Sequence, residues 1–178
     1  MIEFQDPLNV WDHLRIAINR EMPRYVMPDS GIKLHLGAGT KTIKGWHNLE
    51  YPAWDADKGL PEFADESVSE IACHNTLDHL TPVQVVKTLR ESQRVLKPGG
   101  TFTAITPHYA SQLANECLMH SSRFAIDTWR NIFSERDYSA SVDGREGVEF
   151  QWRFNIAVNF IFGLSERNTF LVTQLVKE

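Results

Sequence analysis

LHLGAGTKTIKGWHNLE, residues 34–50, is an apolar run that breaks into Gly-Ala-Gly and reaches an acidic residue, Glu50, eleven positions after Gly39. An apolar segment ending in glycines reads as a buried strand that delivers a loop whose backbone a ligand can approach closely. Three kinds of loop compete for this reading. A dinucleotide fingerprint needs G-x-G-x-x-G and an acid about 20 residues further on. Here Thr42 stands at the third glycine position and the acid arrives at about half that distance. A phosphate-cradling loop needs G-x-x-x-x-G-K-[ST], and the chain has no such spacing. What remains is close backbone approach at Gly37 and Gly39, followed by a carboxylate able to accept both hydroxyls of a ribose. An adenosine ligand without phosphates fits that pair.

Outward from this loop, strand and helix signals alternate. Leu8, Trp11, Leu14, Ala17 and Ile18 recur at helical spacing before Pro23 and Pro28, and Ile32 to Leu36 is the strand that enters the glycines. ESVSEIAC, residues 66–73, carries a second strand. Thr81-Pro82-Val83-Gln84 supplies an N-cap, a proline at the first helical position and a capping-box partner, and Val85, Val86, Leu89, Val95 and Leu96 continue at near-helical spacing. Lys97-Pro98-Gly99-Gly100 ends that helix, and TFTAIT, residues 101–106, is the next strand. Past Pro107 the pattern predicts a mostly helical insert from about Ala110 to Phe133, then the polar loop SERDYSASVDGREG. Two last strands follow, Val148 to Asn155 and Thr169 to Val176, separated by IAVNFIFGL, a helix or a loop. Alternation first and a strand pair last predict an α/β fold: a mostly parallel open sheet with helices on both faces and an antiparallel edge. Ligands of such sheets sit beyond the carboxyl ends of the strands, where the glycine loop lies.

Composition excludes several classes. The 178 residues, 42% hydrophobic and 23% charged, suit one soluble domain spanning 1–178. A net charge of −5 without a long like-charge block does not mark a nucleic-acid partner. No apolar run reaches the roughly 18 residues of a membrane span, and MIEFQDPLNVWDHL lacks a signal-peptide layout, so no membrane and a cytoplasmic location are expected. The two cysteines, Cys73 and Cys117, read as reduced, Cys73 as a buried small hydrophobe. No compact His/Asp/Glu cluster of metal-ligand spacing is evident, so no metal is expected.

Seven ordered blocks carry a resemblance. They are Leu34 to Gly39, Gly45 to Glu50, Asp55 to Pro61, Ser67 to Ile71, Leu77 to Leu80, Leu96 to Gly100, and Pro107 to Tyr109. In this order they resemble the class I S-adenosylmethionine-dependent methyltransferases, in particular small members in which L-x-L-G-x-G is closely followed by G-[YW]-x-N-[LV]-[DE]. The resemblance implies a Rossmann-like, doubly wound, mostly parallel seven-stranded sheet with an antiparallel last strand. It implies S-adenosylmethionine as cofactor, its methionine part against the backbone of Leu36, Gly37, Ala38 and Gly39, and its ribose diol on Glu50. Asp55, or else Asp57, would lie near the adenine amino group with Leu60 against the ring, and Asn75 would border the methionine end. Two positions depart from the family pattern, which often has Asp where Glu50 stands and Ser-His where His74-Asn75 stand.

The sulfonium already makes the methyl group electrophilic, so alignment of an incoming oxygen or nitrogen supplies much of the rate. A hydroxyl or protonated amine also needs a base, and histidine suits that task near neutral pH. His108 directly follows a strand's carboxyl end and leads the candidates, with Tyr109 beside it. His120, in the insert where relatives often carry a histidine, comes second. The expected activity is methyl transfer to an oxygen or nitrogen of a small polar acceptor, the 110–135 insert forming part of its pocket. Two alternatives keep the glycine loop: another enzyme using the same cofactor, such as an aminopropyl transferase or lyase, and a non-catalytic adenosylmethionine-binding accessory protein.

Overall fold

The computed structural model describes residues 31–40, 42–133, 151–163 and 169–178. The helix expected over Leu8 to Ile18, the polar loop 134–147 and the start of the strand expected at Val148 lie outside them.

Among the described residues one sheet forms from β1 (Ile32–Leu36), β2 (His47–Leu49), β3 (Val68–His74), β4 (Leu96–Pro107), β5 (Phe154–Gly163) and β6 (Thr169–Lys177), in the order β2-β1-β3-β4-β6-β5. β1 pairs in parallel with β2 and β3, and β3 with β4. β6 is antiparallel to both of its neighbours, β4 and β5. The sheet is mixed, as expected, with six described strands where the resemblance implies seven.

Among the described residues three helices accompany it: α1 (Pro82–Val95), α2 (Gln112–Glu116) and α3 (Ile126–Ile132). α1 starts as its sequence predicts. Thr81 accepts from the Gln84 amide, Gln84 reaches back to the Thr81 amide, and Pro82 occupies the first turn. The helix stops one residue before the strand expected to follow a turn. Leu96 already pairs with Val68, and pairing resumes only at Glu70 with Thr101, so Lys97 to Gly100 bulge out of the ladder with Gly99 at φ +76°.

Two sequence expectations are corrected. IAVNFIFGL is neither helix nor loop, because Ile156 to Gly163 lie within β5, in register with β6 from Leu175 back to Thr169. A run of β-branched and aromatic residues beside a partner strand follows that partner rather than its own ambiguous period. The insert is also less helical than expected, with α2 and α3 separated by irregular chain around His120.

The core lies on one sheet face. Leu34, Ile71, Phe102 and Leu175 stand in one row across four strands, none more than 1% exposed. Val85, Leu89 and Val95 of α1 and Trp129 of α3 belong to the same apolar cluster. Truncating any one of these leucines to alanine costs about 2–5 kcal/mol. The opposite face mixes buried apolar residues, Ala72, Ile105 and Val172, with polar ones. Its rows hold Lys33 and Glu70, paired at 2.7 Å, and His35, Thr103 and Gln174, with Gln174 Nε2 donating to Thr103 Oγ1 at 3.0 Å.

Candidate functional site

Because β1 to β4 are parallel and in register at their last residues, their carboxyl ends form one rim. The glycine loop leaves β1 there, Glu50 follows β2, Asn75 follows β3, and His108 follows β4. Every cofactor-side residue expected from the sequence except Asp55 and Leu60 therefore follows or ends a strand at this rim.

The loop after β1 runs to β2 without a helix in its described residues. Gly37 and Ala38 donate backbone hydrogen bonds to Leu49 O at 2.8 and 3.1 Å, and Gly39 N donates to Glu50 Oε2 at 2.7 Å. Asn48 holds the return of the loop, accepting from Ile43 N and donating to Ile43 O and Trp46 O. The two glycines do different jobs. At Gly37, φ +66°, an added Cβ would lie 2.2 Å from the Thr76 side chain, so this glycine admits the β3 end loop. At Gly39, φ +53°, nothing stands within 4 Å and the space is open. Thr76 was not foreseen. Its hydroxyl caps the His74 and Gly37 carbonyls, and only the fold brings it to β1.

Asn75 adopts a left-handed backbone, φ +48°, and its buried Oδ1 has no hydrogen-bond partner. Asparagine adopts this left-handed conformation more readily than most residues. Asp55 and Asp57 separate clearly. Asp57 accepts from Gln84 Nε2 and Lys87 Nζ, both at 2.8 Å, tying its loop to α1, and the Lys87 bond holds its carboxyl below the usual range. Asp55 Oδ1 accepts from the Asp57 amide in a local turn. Leu60, expected against adenine, is 2% exposed and belongs to the apolar core.

On the acceptor side, His108 is fixed by its amide to Thr169 O at 2.9 Å, and its ring lies 4.7 Å from that of Tyr109, which is exposed. Partial burial pushes the His108 ring below its ordinary pKa. His120 sits in a different setting. Its ring is nearly buried, with Nδ1 3.2 Å from Ala114 O and Nε2 3.0 Å from Asp78 Oδ2. His79 Nε2 approaches the same carboxylate oxygen at 3.8 Å, and the two rings meet edge-to-face at 4.6 Å. Burial raises the Asp78 carboxyl above its ordinary range. The sequence showed no compact ligand cluster, yet His79, Cys117 and His120 each place a donor atom within 4.8 Å of the others. The signal available was Cys117-x-x-His120, a ligand spacing whose third member lies on another element.

Two clefts of about 520 and 530 Å³ lie away from the glycine loop. The first is lined by charged residues including Arg90, Arg94, Arg153 and Lys177, and the second runs between α1 and residues 121–132 of the insert. No helix of the described residues is long and apolar enough to cross a membrane.

The chain is thus an α/β protein whose sheet is mostly parallel, with an open glycine loop and a carboxylate on its rim. Residues 36–104 match a methyltransferase domain, while no curated protein matches the chain in sequence. Among solved structures, a methyltransferase from Methanosarcina mazei aligns with 88% of this chain and 96% of its own at 12% identity and a TM-score of 0.57. NodS, an N-methyltransferase from Bradyrhizobium japonicum solved with S-adenosylhomocysteine, aligns over 98% and 89% at 12% identity and 0.56. A chain from a complex of the Haloferax volcanii Trm112 activator with a methyltransferase aligns over 98% and 99% at 14% identity and 0.55. These likenesses are of fold. With the domain match they agree with the resemblance to class I S-adenosylmethionine-dependent methyltransferases, whose Rossmann-like fold the chain shares and whose cofactor is S-adenosylmethionine.

Proposed function

We propose that the protein transfers a methyl group from S-adenosylmethionine to an oxygen or nitrogen of a small polar acceptor. The observation that carries this reading is the 2.7 Å bond from Gly39 N to Glu50 Oε2. It holds an exposed carboxylate beside the glycine loop, its second oxygen without a hydrogen bond among the described residues and available to a ribose diol. In the bound complex the backbone from Leu36 to Gly39, with Ala38, lines the methionine part, and the orphaned Asn75 Oδ1 accepts from its ammonium group. Asp55 is the carboxylate nearer the adenine, since Asp57 is held by Gln84 and Lys87. Leu60 supports the ring from the core.

When bound, the cofactor supplies an electrophilic methyl group, and the chain supplies position and a proton acceptor. His108 is the base, Tyr109 lies beside the acceptor, and the insert borders the acceptor's pocket. His120 faces Asp78 and Ala114 rather than an open cleft, which suits a different task.

S-adenosylhomocysteine should raise the melting temperature, because a ligand of the native state stabilises it by mass action, and NADH should not. Glu50→Ala should weaken adenosylmethionine binding in calorimetry by about 2–3 kcal/mol, the scale of hydrogen bonds to a charged group, without lowering stability. An unchanged dissociation constant removes Glu50 from the site. Mass spectrometry with methyl-labelled cofactor and a metabolite extract then tests transfer: label in one acceptor supports it, and methylthioadenosine as product overturns it.

A further inference from the structure

We propose that His79, Cys117 and His120, with Asp78 as fourth donor, form a zinc-type divalent-cation site that pins the insert to the loop after β3. The proposal is independent of methyl transfer.

Four observations converge. The donor atoms of His79, Cys117 and His120 lie within 4.8 Å of one another. Bonds of about 2.0–2.3 Å to a tetrahedral zinc place ligand atoms about 3.3–3.8 Å apart, so small side-chain adjustments close the set. Asp78 is 2% exposed, and both of its carboxylate oxygens are buried without a hydrogen-bond partner. Oδ2 is 3.0 Å from His120 Nε2, an ion-pair distance without the alignment of a hydrogen bond, and 3.8 Å from His79 Nε2. An Asp78–His120 ion pair alone would leave Asp78 Oδ1 and the Cys117 thiol without a role, whereas a cation held by His79, Cys117 and His120 lies beside Asp78 Oδ2, which is close to both histidines. His120 Nδ1 lies 3.2 Å from Ala114 O, and a ring that donates there presents Nε2 as a free lone pair, the usual outer arrangement of a metal-bound histidine.

The donor set selects the ion. Two imidazoles, a thiolate and a carboxylate suit Zn²⁺ and exclude the oxygen-only sites of magnesium and calcium. Binding releases the Cys117 thiol proton as the sulfur–metal bond forms. The 45% exposure of the His79 side chain leaves an entry path. The backbone already prepares the clamp, with Ser121 N and Ser122 N donating to Asp78 O at 2.8 and 3.1 Å.

Metal-free full-length protein should be titrated with Co²⁺ and then with Zn²⁺. The expected result is one Co²⁺ per chain, with the strong visible bands of tetrahedral cobalt and a thiolate charge-transfer band in the near ultraviolet, both erased by stoichiometric Zn²⁺. Cys117→Ser should abolish the charge-transfer band. His79→Ala, at an exposed position where folding is not at issue, should weaken Zn²⁺ binding at least tenfold. Asp78→Asn should weaken it by about 10–100-fold. Circular dichroism checks that each variant is folded. A weak octahedral spectrum, a thiolate band that survives Cys117→Ser, or unchanged affinity in His79→Ala overturns the proposal.

Discussion

Two carboxylates beyond the carboxyl ends of adjacent elements have opposite surroundings. Glu50 is exposed and takes its hydrogen bond from the amide of Gly39, eleven residues earlier in the chain. Asp78 is buried, takes no side-chain hydrogen bond, and faces a histidine delivered by the insert. One is prepared for a solvent-borne ligand that brings hydroxyl donors. The other is a charge enclosed by protein, stable only with a positive neighbour. The rim thus has a side built locally and a side assembled from distant chain.

The largest test of this division is His108→Ala. If the assembled side hosts the proton transfer, turnover should fall by roughly 10²–10⁴ with little change in cofactor affinity. A raised Michaelis constant at constant turnover would make His108 a substrate-orienting residue. Within the local side, Gly37→Ala should destabilise by about 2–5 kcal/mol, combining a left-handed backbone with a collision at Thr76. Gly39→Ala meets open space and should lose only about 1–2 kcal/mol. Chemical denaturation that gave equal losses would erase the distinction between the two glycines.

The smallest effect is in pH. Burial lowers the pKa of His35 from its ordinary 6.5, so the unfolded chain binds that proton more readily than the folded one. The stability this contributes is fully present above about pH 6.5 and is lost as pH falls through the lowered value. Melting temperatures taken down this window should drop more steeply for the native chain than for His35→Gln. Parallel slopes would show that the ring titrates as in the unfolded chain.

What the sequence disclosed follows the same line. The glycine loop, Glu50, the capping box at Thr81 and the strand at TFTAIT were legible because each is specified by residues within a few positions. β5 was misread because its pairing with β6 lies outside any local window. The histidine and cysteine cluster was invisible because two stretches of chain contribute to it, and the place of Leu60 in the core and the tie from Asp57 to Lys87 exist only in three dimensions. Thr76 belongs with these, a residue whose importance to Gly37 exists only once β1 and β3 lie side by side.

β6 follows β5 in the chain but lies between β5 and β4 in space. A nascent polypeptide that has not yet reached Thr169 therefore holds β4 with one edge open and β5 without a partner strand among the described residues. Among the described strands the sheet does not grow simply by additions at its border, since β6, an interior member, follows β5 in the chain. During synthesis the protein passes through a stage with adhesive backbone on two separate segments, the condition in which chaperone capture competes with self-association. A single strand, on arrival, closes both gaps at once.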